Sequence, residues 1–451
     1  MTEPEVEMEM EMDRNVRDES GTAGSTGRAP DPRRTVRFWL LPLLAVVLLA
    51  TLLAGAYLGG NVNPKKNLHG FPIAVVDADW GATTVDGTRL EAGEEIADRL
   101  VDKLDDGRFD VRRLTPAQAR EQMNRGELYG AIVIPHDFSQ NLNAWGIGTA
   151  VPNEPVQPEI RIVQNPRAGL GSANIMAVVG RQVADGLETS IGDKLTETVR
   201  ESRGEDEFAE TPGTATAAIA APVRIHSEDF RPLPDGTGNG LSAFYFTLLI
   251  VLAGLTGSVM VNTLVDSRLG FMPSEMGPLV LRRPEVGVSR LGVFGVKVLL
   301  AFAASIIVSG IYVGIGGAVG MPIGRPWLLG MFTATAIFSV ATVCQAINAL
   351  LGNLGLLVNL LLFIIVGLPS AGGTLPLEAV PDFFRAYSHV APMHQIFLGC
   401  RAILYFDGQW DAGLGQSLRF AGLAIIAALV CGALGTALYD RRGYVRQATA
   451  A

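Results

Sequence analysis

The chain has 451 residues, 48% hydrophobic and only 18% charged, with a mean hydropathy of +0.29 and a formal net charge of −9. Soluble domains carry about 25% charged residues, so long uncharged stretches must exist. There is no basic stripe to follow a phosphate backbone, which argues against a nucleic-acid partner.

In chain order, residues 1–35 form an acidic, low-complexity tail (EPEVEMEMEMDRNVRDES, then Gly, Ser, Thr and Pro) that cannot bury a core, and they read as a disordered cytoplasmic tail. Residues 36–60 hold the first uncharged run, Phe38–Leu58, roughly 32 Å long as a helix and enough for a bilayer core of about 30 Å. It is too long and begins too late for a signal peptide, so an uncleaved anchor is the reading.

Residues 61–239 read as an α/β domain. Phe71–Val76 is a short continuous apolar run, a buried strand ending in Asp77, Asp79 and Gly81. Apolar positions from Leu90 to Leu104 recur at three and four, giving an amphipathic helix over 89–104. Phe109–Leu114 is a second strand. Thr115, Pro116 and Gln118 form a helix start, and Gly126 ends that helix. Tyr129–Pro135 is a third strand, so the order β-α-β-α-β implies parallel pairing. Glu159–Gln164 and Val223–His226 are further strand candidates. Between them, 172–202 reads as a helix whose apolar positions from Ile175 to Val199 repeat every four residues.

Residues 240–440 contain five more apolar runs: Leu241–Leu264, Val293–Val319, Leu328–Leu351, Gly355–Leu368 and Phe420–Leu438. Six transmembrane helices follow, with the α/β domain between the first and second and a short tail at 441–451. Arg33, Arg34, Arg37, Arg268, Arg282, Arg283, Arg290, Arg441, Arg442 and Arg446 outnumber the positive charges of the other loops, among them Arg325, Arg385, Arg401 and Arg419. The excess of positive charge marks the first set as cytoplasmic, which puts both termini inside and the α/β domain outside a plasma membrane. The loop Asp266–Arg290 holds three prolines, and Pro278 with the following LVLRR suggests a short interfacial helix. Thr374–Gly415 is too polar to span and too apolar for a free loop, and reads as a re-entrant or interfacial helix pair.

Chemistry is sparse. No lysine follows a glycine, so the phosphate-cradling Gly-Lys-Ser/Thr loop is absent and any ATP-driven work needs a second chain. The five histidines form no i, i+4 pair, and no metal or cofactor site is expected. Asp77 and Asp79 read as turn residues ahead of cation ligands. The cysteines Cys344, Cys400 and Cys431 read as small buried hydrophobes. No nucleophile has a partner motif, and the chain is not expected to be an enzyme. Gln345, Asn348 and Asn359 lie inside apolar runs, where they either hydrogen-bond helix to helix or line a substrate path. Lys297 is read as snorkelling from the end of its run.

Two stretches, PIAVVDADWG and YGAIVIPHDFSQNL, carry Asp77, Asp79, Gly81, Ile134, Pro135, Asp137, Phe138 and Ser139. Together they resemble the amino-terminal part of YhgE/Pip-type membrane proteins. The carboxyl half resembles type-2 ABC exporter permeases through Leu375-Pro376, Pro381, Pro392-Met393 and Arg401. The resemblance implies a permease exporting an apolar or amphiphilic compound, a separate cytosolic ATPase docked at the loop holding Arg282 and Arg283, and assembly of two such halves as a homodimer. A non-transporting surface receptor or secretion-system scaffold is the alternative it implies.

Overall fold

The computed structural model describes residues 36–61, 63–84, 87–148, 156–184, 186, 223–281, 283–284 and 286–444. The protein is mostly helical, with one α/β region. The acidic tail, most of the second half of the predicted 172–202 helix, and Arg282 fall outside these residues.

The first apolar run is one helix, α1 (Val36–Asn61). From Ala56 onward the chain forms one compact unit. Its α/β region contains β1 (Phe71–Asp77), the small ribbon β2 (Ala82–Thr83) and β3 (Arg89–Leu90), α2 (Ala92–Leu104), β4 (Phe109–Arg113), α3 (Pro116–Asn124), β5 (Gly130–Ile134), α4 (Phe138–Gly148), β6 (Glu159–Gln164), α5 (170–184) and β7 (Arg224–Asp229). The main sheet has the order β4-β1-β5-β6-β7. β1 pairs parallel with both β4 and β5, placing Ile73 between Val111 and Gly130. The alternation of strand and helix requires this, because a parallel pair needs a crossover. β6 joins antiparallel to β5, and β7 parallel to β6.

Burial explains the strand runs. Phe71, Ile73, Ala74 and Val75 are fully buried, because helices cover the sheet and both faces of β1 are inside. The predicted capping box is present: Thr115 Oγ1 accepts from the Gln118 N–H at 3.4 Å, and the Gln118 side chain accepts the Thr115 N–H at 3.1 Å.

The carboxyl half contains α6 (Ser242–Arg268), β8 (Ser274–Met276), β9 (Leu279–Leu281), α7 (Arg290–Ala318), α8 (Pro326–Leu351), α9 (Leu354–Leu360), α10 (Asp382–Ser388), α11 (Pro392–Tyr405) and α12 (Gly415–Arg441). Four helical stretches among the described residues are long and apolar enough to cross a membrane: Ser242–Arg268, Arg290–Ala318, Pro326–Leu351 and Trp410–Arg441. Large apolar side chains such as Leu299, Ile307, Ile315, Leu423, Ile426 and Leu434 point outward along α7 and α12. Ser258, Ser305, Ser309, Asn348, Asn359, Asp266 and Lys297 are buried instead. That inversion suits a lipid surround and would be costly in water. α8 is the central helix, with over half of its most apolar window buried (56%), twice the share of α6 or α7. Small residues let helices approach: a side chain at Gly254 would fall 2.6 Å from Val340 Cβ.

Three expectations change here. The run Gly355–Leu368 is not a span-length helix: α9 runs into a π turn at Leu361–Ile365, and the chain then turns through Gly367, Pro369 and Gly372. Pro278–Leu281 is not helical. Gly277, at φ +58°, and Pro278 make a two-residue turn, so Ser274–Met276 pairs antiparallel with Leu279–Leu281. A glycine at the first turn position suits a two-residue hairpin. Arg401 is not in a short outer loop but sits on α11 and is buried. The segment 374–415 does form a helix pair, α10 and α11, with α11 packed against α6, α8 and α12.

Candidate functional site

No described group of His, Cys, Asp and Glu could hold a metal ion. The strand-end motif is structural in its geometry. β1 and β5 lie side by side, and their carboxyl ends feed the amino ends of α2 and α4. In open α/β sheets this reversal of strand order is where an anionic ligand usually sits on helix N-termini. Here the chain's own carboxylate occupies it. Asp79 accepts the Gly93 N–H of α2 at 3.2 Å and the Ser139 N–H of α4 at 3.0 Å, and also the Ser139 hydroxyl. Ser139 Oγ in turn accepts the Ala92 N–H at 3.0 Å. Asp77 accepts the Asp79 N–H at 3.0 Å. A side chain at Gly93 would strike both carboxylates, so that position needs glycine. Among the residues quoted for the family resemblance, Asp79 and Ser139 therefore join two helix starts through one half-buried carboxylate.

The polar residues of the apolar runs are brought together at one end of the helix bundle. Gln345, 1% exposed, donates from α8 to the Ser258 carbonyl of α6 at 3.0 Å. Asn359 of α9 donates to Asn348 Oδ1 of α8 at 3.0 Å. Gln345 Oε1, Asn348 Nδ2 and Asn359 Oδ1 have no hydrogen-bond partner among the described residues. Lys297 does not snorkel. It is buried, its Nζ lies 2.8 Å from Asp266 Oδ1, and it also donates to Asn262 Oδ1. Asp440 of α12 accepts the N–H groups of Arg290 and Leu291 at 2.9 and 3.1 Å, so the start of α7 and the end of α12 share that end. Arg283 is exposed in the loop beyond β9, its carbonyl packed close to Gly270, and it pairs with no carboxylate among the described residues.

Sequence reasoning missed the junction between the α/β region and the bundle. After β6 a tight turn, Pro166–Ala168, meets the end of α11, and two arginines cross it in opposite directions. Arg167 donates to the Tyr405 carbonyl at 2.8 Å, and Arg401 donates to the Ala168 carbonyl at 3.3 Å. The Arg401 guanidinium also lies over the Phe397 and Phe406 rings, at 5.9 and 5.6 Å from their centroids. Tyr405 extends the joint by accepting the Ala243 N–H at 3.1 Å, at the start of α6. Beside it, the Tyr129 hydroxyl donates to Glu378 Oε2 at 2.9 Å. Burial raises the Glu378 carboxyl above its ordinary range and lowers both arginines, Arg401 most directly by desolvation. The signal for this joint was Arg401 itself, a lone arginine in an apolar stretch.

The chain belongs to the family described as "Protein of unknown function (DUF3533)", which matches residues 42–419. It is also similar to the "Uncharacterized protein YhgE" of Bacillus subtilis (strain 168), with 25% identity over 159 residues. That stretch is 35% of this chain and 19% of the relative, so the match spans about a fifth of the relative's length. These two matches support the resemblance to YhgE/Pip-type proteins read from the sequence. No solved structure matches.

Proposed function

We propose that this membrane protein is the permease subunit of an ABC-type exporter, moving an apolar or amphiphilic compound outward with a separate ATPase. In this reading it has six spans, α1 being the first and the fifth being made by short α9 continued through its π turn and the apolar residues that follow, a broken helix and not a regular one. Both termini are cytoplasmic in a plasma membrane, the α/β region is outside, and two copies form a homodimer. The observation that carries it is the reciprocal arginine joint. An exporter has to transmit movement between its spans and its outer domain, and the joint fastens the sheet turn 166–168 to α11, in the bundle core. The ATPase docks on the loop 266–290, where hairpin β8–β9 shows Leu279, Val280 and Leu281, and where Arg282 and Arg283 offer forks for acidic partner residues. The chain itself performs no catalysis.

One feature favours a second reading, a surface receptor or secretion-system scaffold. Trp80 is 70% exposed and stacks on His136, with ring centroids 4.8 Å apart, at the strand ends.

The test is ATP-dependent uptake of an amphiphilic dye into inside-out vesicles holding the chain and its co-purified ATPase. Uptake should be lost on Arg282→Glu with Arg283→Glu while insertion is unchanged, because like charges at an interface cost several kcal/mol. Absence of ATP-dependent uptake in the unmodified protein would turn the case to the receptor. Sidedness is read from cysteines placed at the exposed positions Arg120 and Leu279, with the exposed Cys431 removed; labelling of both from one side overturns the topology.

A further inference from the structure

A cavity of about 260 Å³ lies at the foot of the α/β region, between α5, Leu68 ahead of β1, Phe109 of β4, and Thr374–Leu375. Gly171 pins the first turn of α5 there, since a side chain on it would lie 2.5 Å from the Thr374 carbonyl. Met176, Val179 and Val183 pack into the sheet core. Ile175 and Val178, with the polar Asn174 and Gln182, border the cavity and stay partly open. The helix holds the sheet with one apolar stripe, and Val178, with the flanks of Ile175 and Val179, also borders the cavity.

Charge at the mouth is not balanced. Arg108 is held by Asp106 at 2.5 Å and lies over the Phe109 ring. Lys65 is exposed at the rim and pairs with no carboxylate among the described residues. It belongs to the single helical turn Pro64–Asn67, which follows α1 almost directly. An apolar slot with one unpaired cation, a few residues from the end of a span-length apolar helix, fits a particular chemistry.

We propose that this cavity binds a single-chain anionic amphiphile of the long-chain fatty acid kind, its carboxylate at Lys65 and its chain along Ile175 and Val178. The lining is mainly apolar, which suits an alkyl chain, and at the rim Lys65 is a cation that pairs with no carboxylate among the described residues. This names a cargo or effector class for the export reading and rests on that reading for the direction of movement. Binding is measured without transport, so export can fail while binding stands.

The experiment photolabels the full chain in a nonionic detergent with a palmitic acid analogue carrying a terminal diazirine, and maps the labelled peptides by mass spectrometry. Saturable labelling within 170–184 or at Phe109 and Leu375 is expected. Lys65→Glu, on an exposed side chain, should weaken it roughly tenfold, about 1.4 kcal/mol, and the methyl ester should label as weakly. Val178→Trp should abolish it by filling the slot. If that variant does not fold, Gln182→Trp at the exposed rim does the same duty. Equal labelling by acid and ester, labelling confined to the bundle helices, or indifference to both Lys65→Glu and the tryptophan variants would each overturn the proposal.

Discussion

Two buried cations sit at separate places in this molecule and are satisfied by different means. Lys297, inside the bundle, has a carboxylate at 2.8 Å and an asparagine oxygen beside it. Arg401, at the junction, has no carboxylate within 4 Å among the described residues and leans on a carbonyl and two aromatic faces. A compact ammonium in an apolar surround needs a counter-charge. A guanidinium spreads its charge over a plane, is more weakly hydrated, and accepts carbonyls and rings as company. The first site is therefore brittle toward loss of its partner, and the second is a joint that can loosen without collapse.

The largest expected effect tests the brittle site. Asp266→Asn leaves Lys297 buried without its counter-charge, and breaking one partner of a buried pair costs about 3–5 kcal/mol. Thermal unfolding in detergent should show a marked fall. Asp266→Leu combined with Lys297→Met should recover most of it, because a buried pair is often replaced by apolar residues at little cost. A single variant as stable as the parent would refute the account of Lys297.

Next comes the joint. Arg401→Met keeps the stem's packing on Phe397 and Phe406 but removes the donor to Ala168, for a loss of about 1–2 kcal/mol. Because no paired carboxylate is orphaned, the effect should stay below that of Asp266→Asn. Hydrogen exchange should rise locally at 166–170 ahead of the rest, as a loosened contact opens sub-globally. Uniform change across the sheet would mean that Arg401 supports the fold and not the joint.

These two sites also mark how far the sequence could be read. The sheet was legible because its signals are local. FPIAVV and YGAIVIP are continuous apolar runs, and Thr115-Pro116 with Gln118 is a complete helix start within four residues. The hairpin at 274–281 was hidden because LVL after a proline suits a strand or a short helix equally, and the Gly277 turn decides it. Asp266 and Lys297 looked like the ends of separate runs; only the packing of α6 on α7 makes them a pair. Counting arginines treats each as a loop charge, which misplaced Arg401. Its contact with Ala168 spans 233 residues of chain, beyond any periodic signal. Asp79 was read correctly as a turn residue, but its service to two helices depends on β1 lying beside β5.

A smaller effect probes the acidic side of the joint. Tyr129→Phe removes the hydroxyl that donates to Glu378 and leaves a partly buried carboxylate with one fewer donor. The expected loss is about 1 kcal/mol, seen as a modest drop in melting temperature at neutral pH. It should shrink at acid pH, where a protonated Glu378 no longer requires that donor. No pH dependence in the difference would separate Tyr129 from the charge of Glu378.

The last effect is a pH dependence centred on His394, on the same helix as Arg401. Its ring Nδ1 lies 2.9 Å from the Ala371 carbonyl. Burial first, and then the charges of Arg401 and His389, depress its pKa to about 4, against the opposing pull of that carbonyl. The folded state thus keeps the ring neutral while the unfolded chain protonates near 6.5. Stability from this residue is complete above about 6.5 and is lost as pH falls towards 4, because the unfolded state binds the extra proton. Glu378 works in the opposite sense: its raised pKa gives stability at low pH that is lost as pH rises through its folded value. Comparing the parent with His394→Gln cancels the Glu378 contribution, since both carry it, and glutamine retains a donor for Ala371. The parent's advantage in melting temperature should narrow steadily between pH 6.5 and 4. A constant difference would mean that His394 titrates alike in both states, and that the packing around Arg401 is open enough for water to reach the ring.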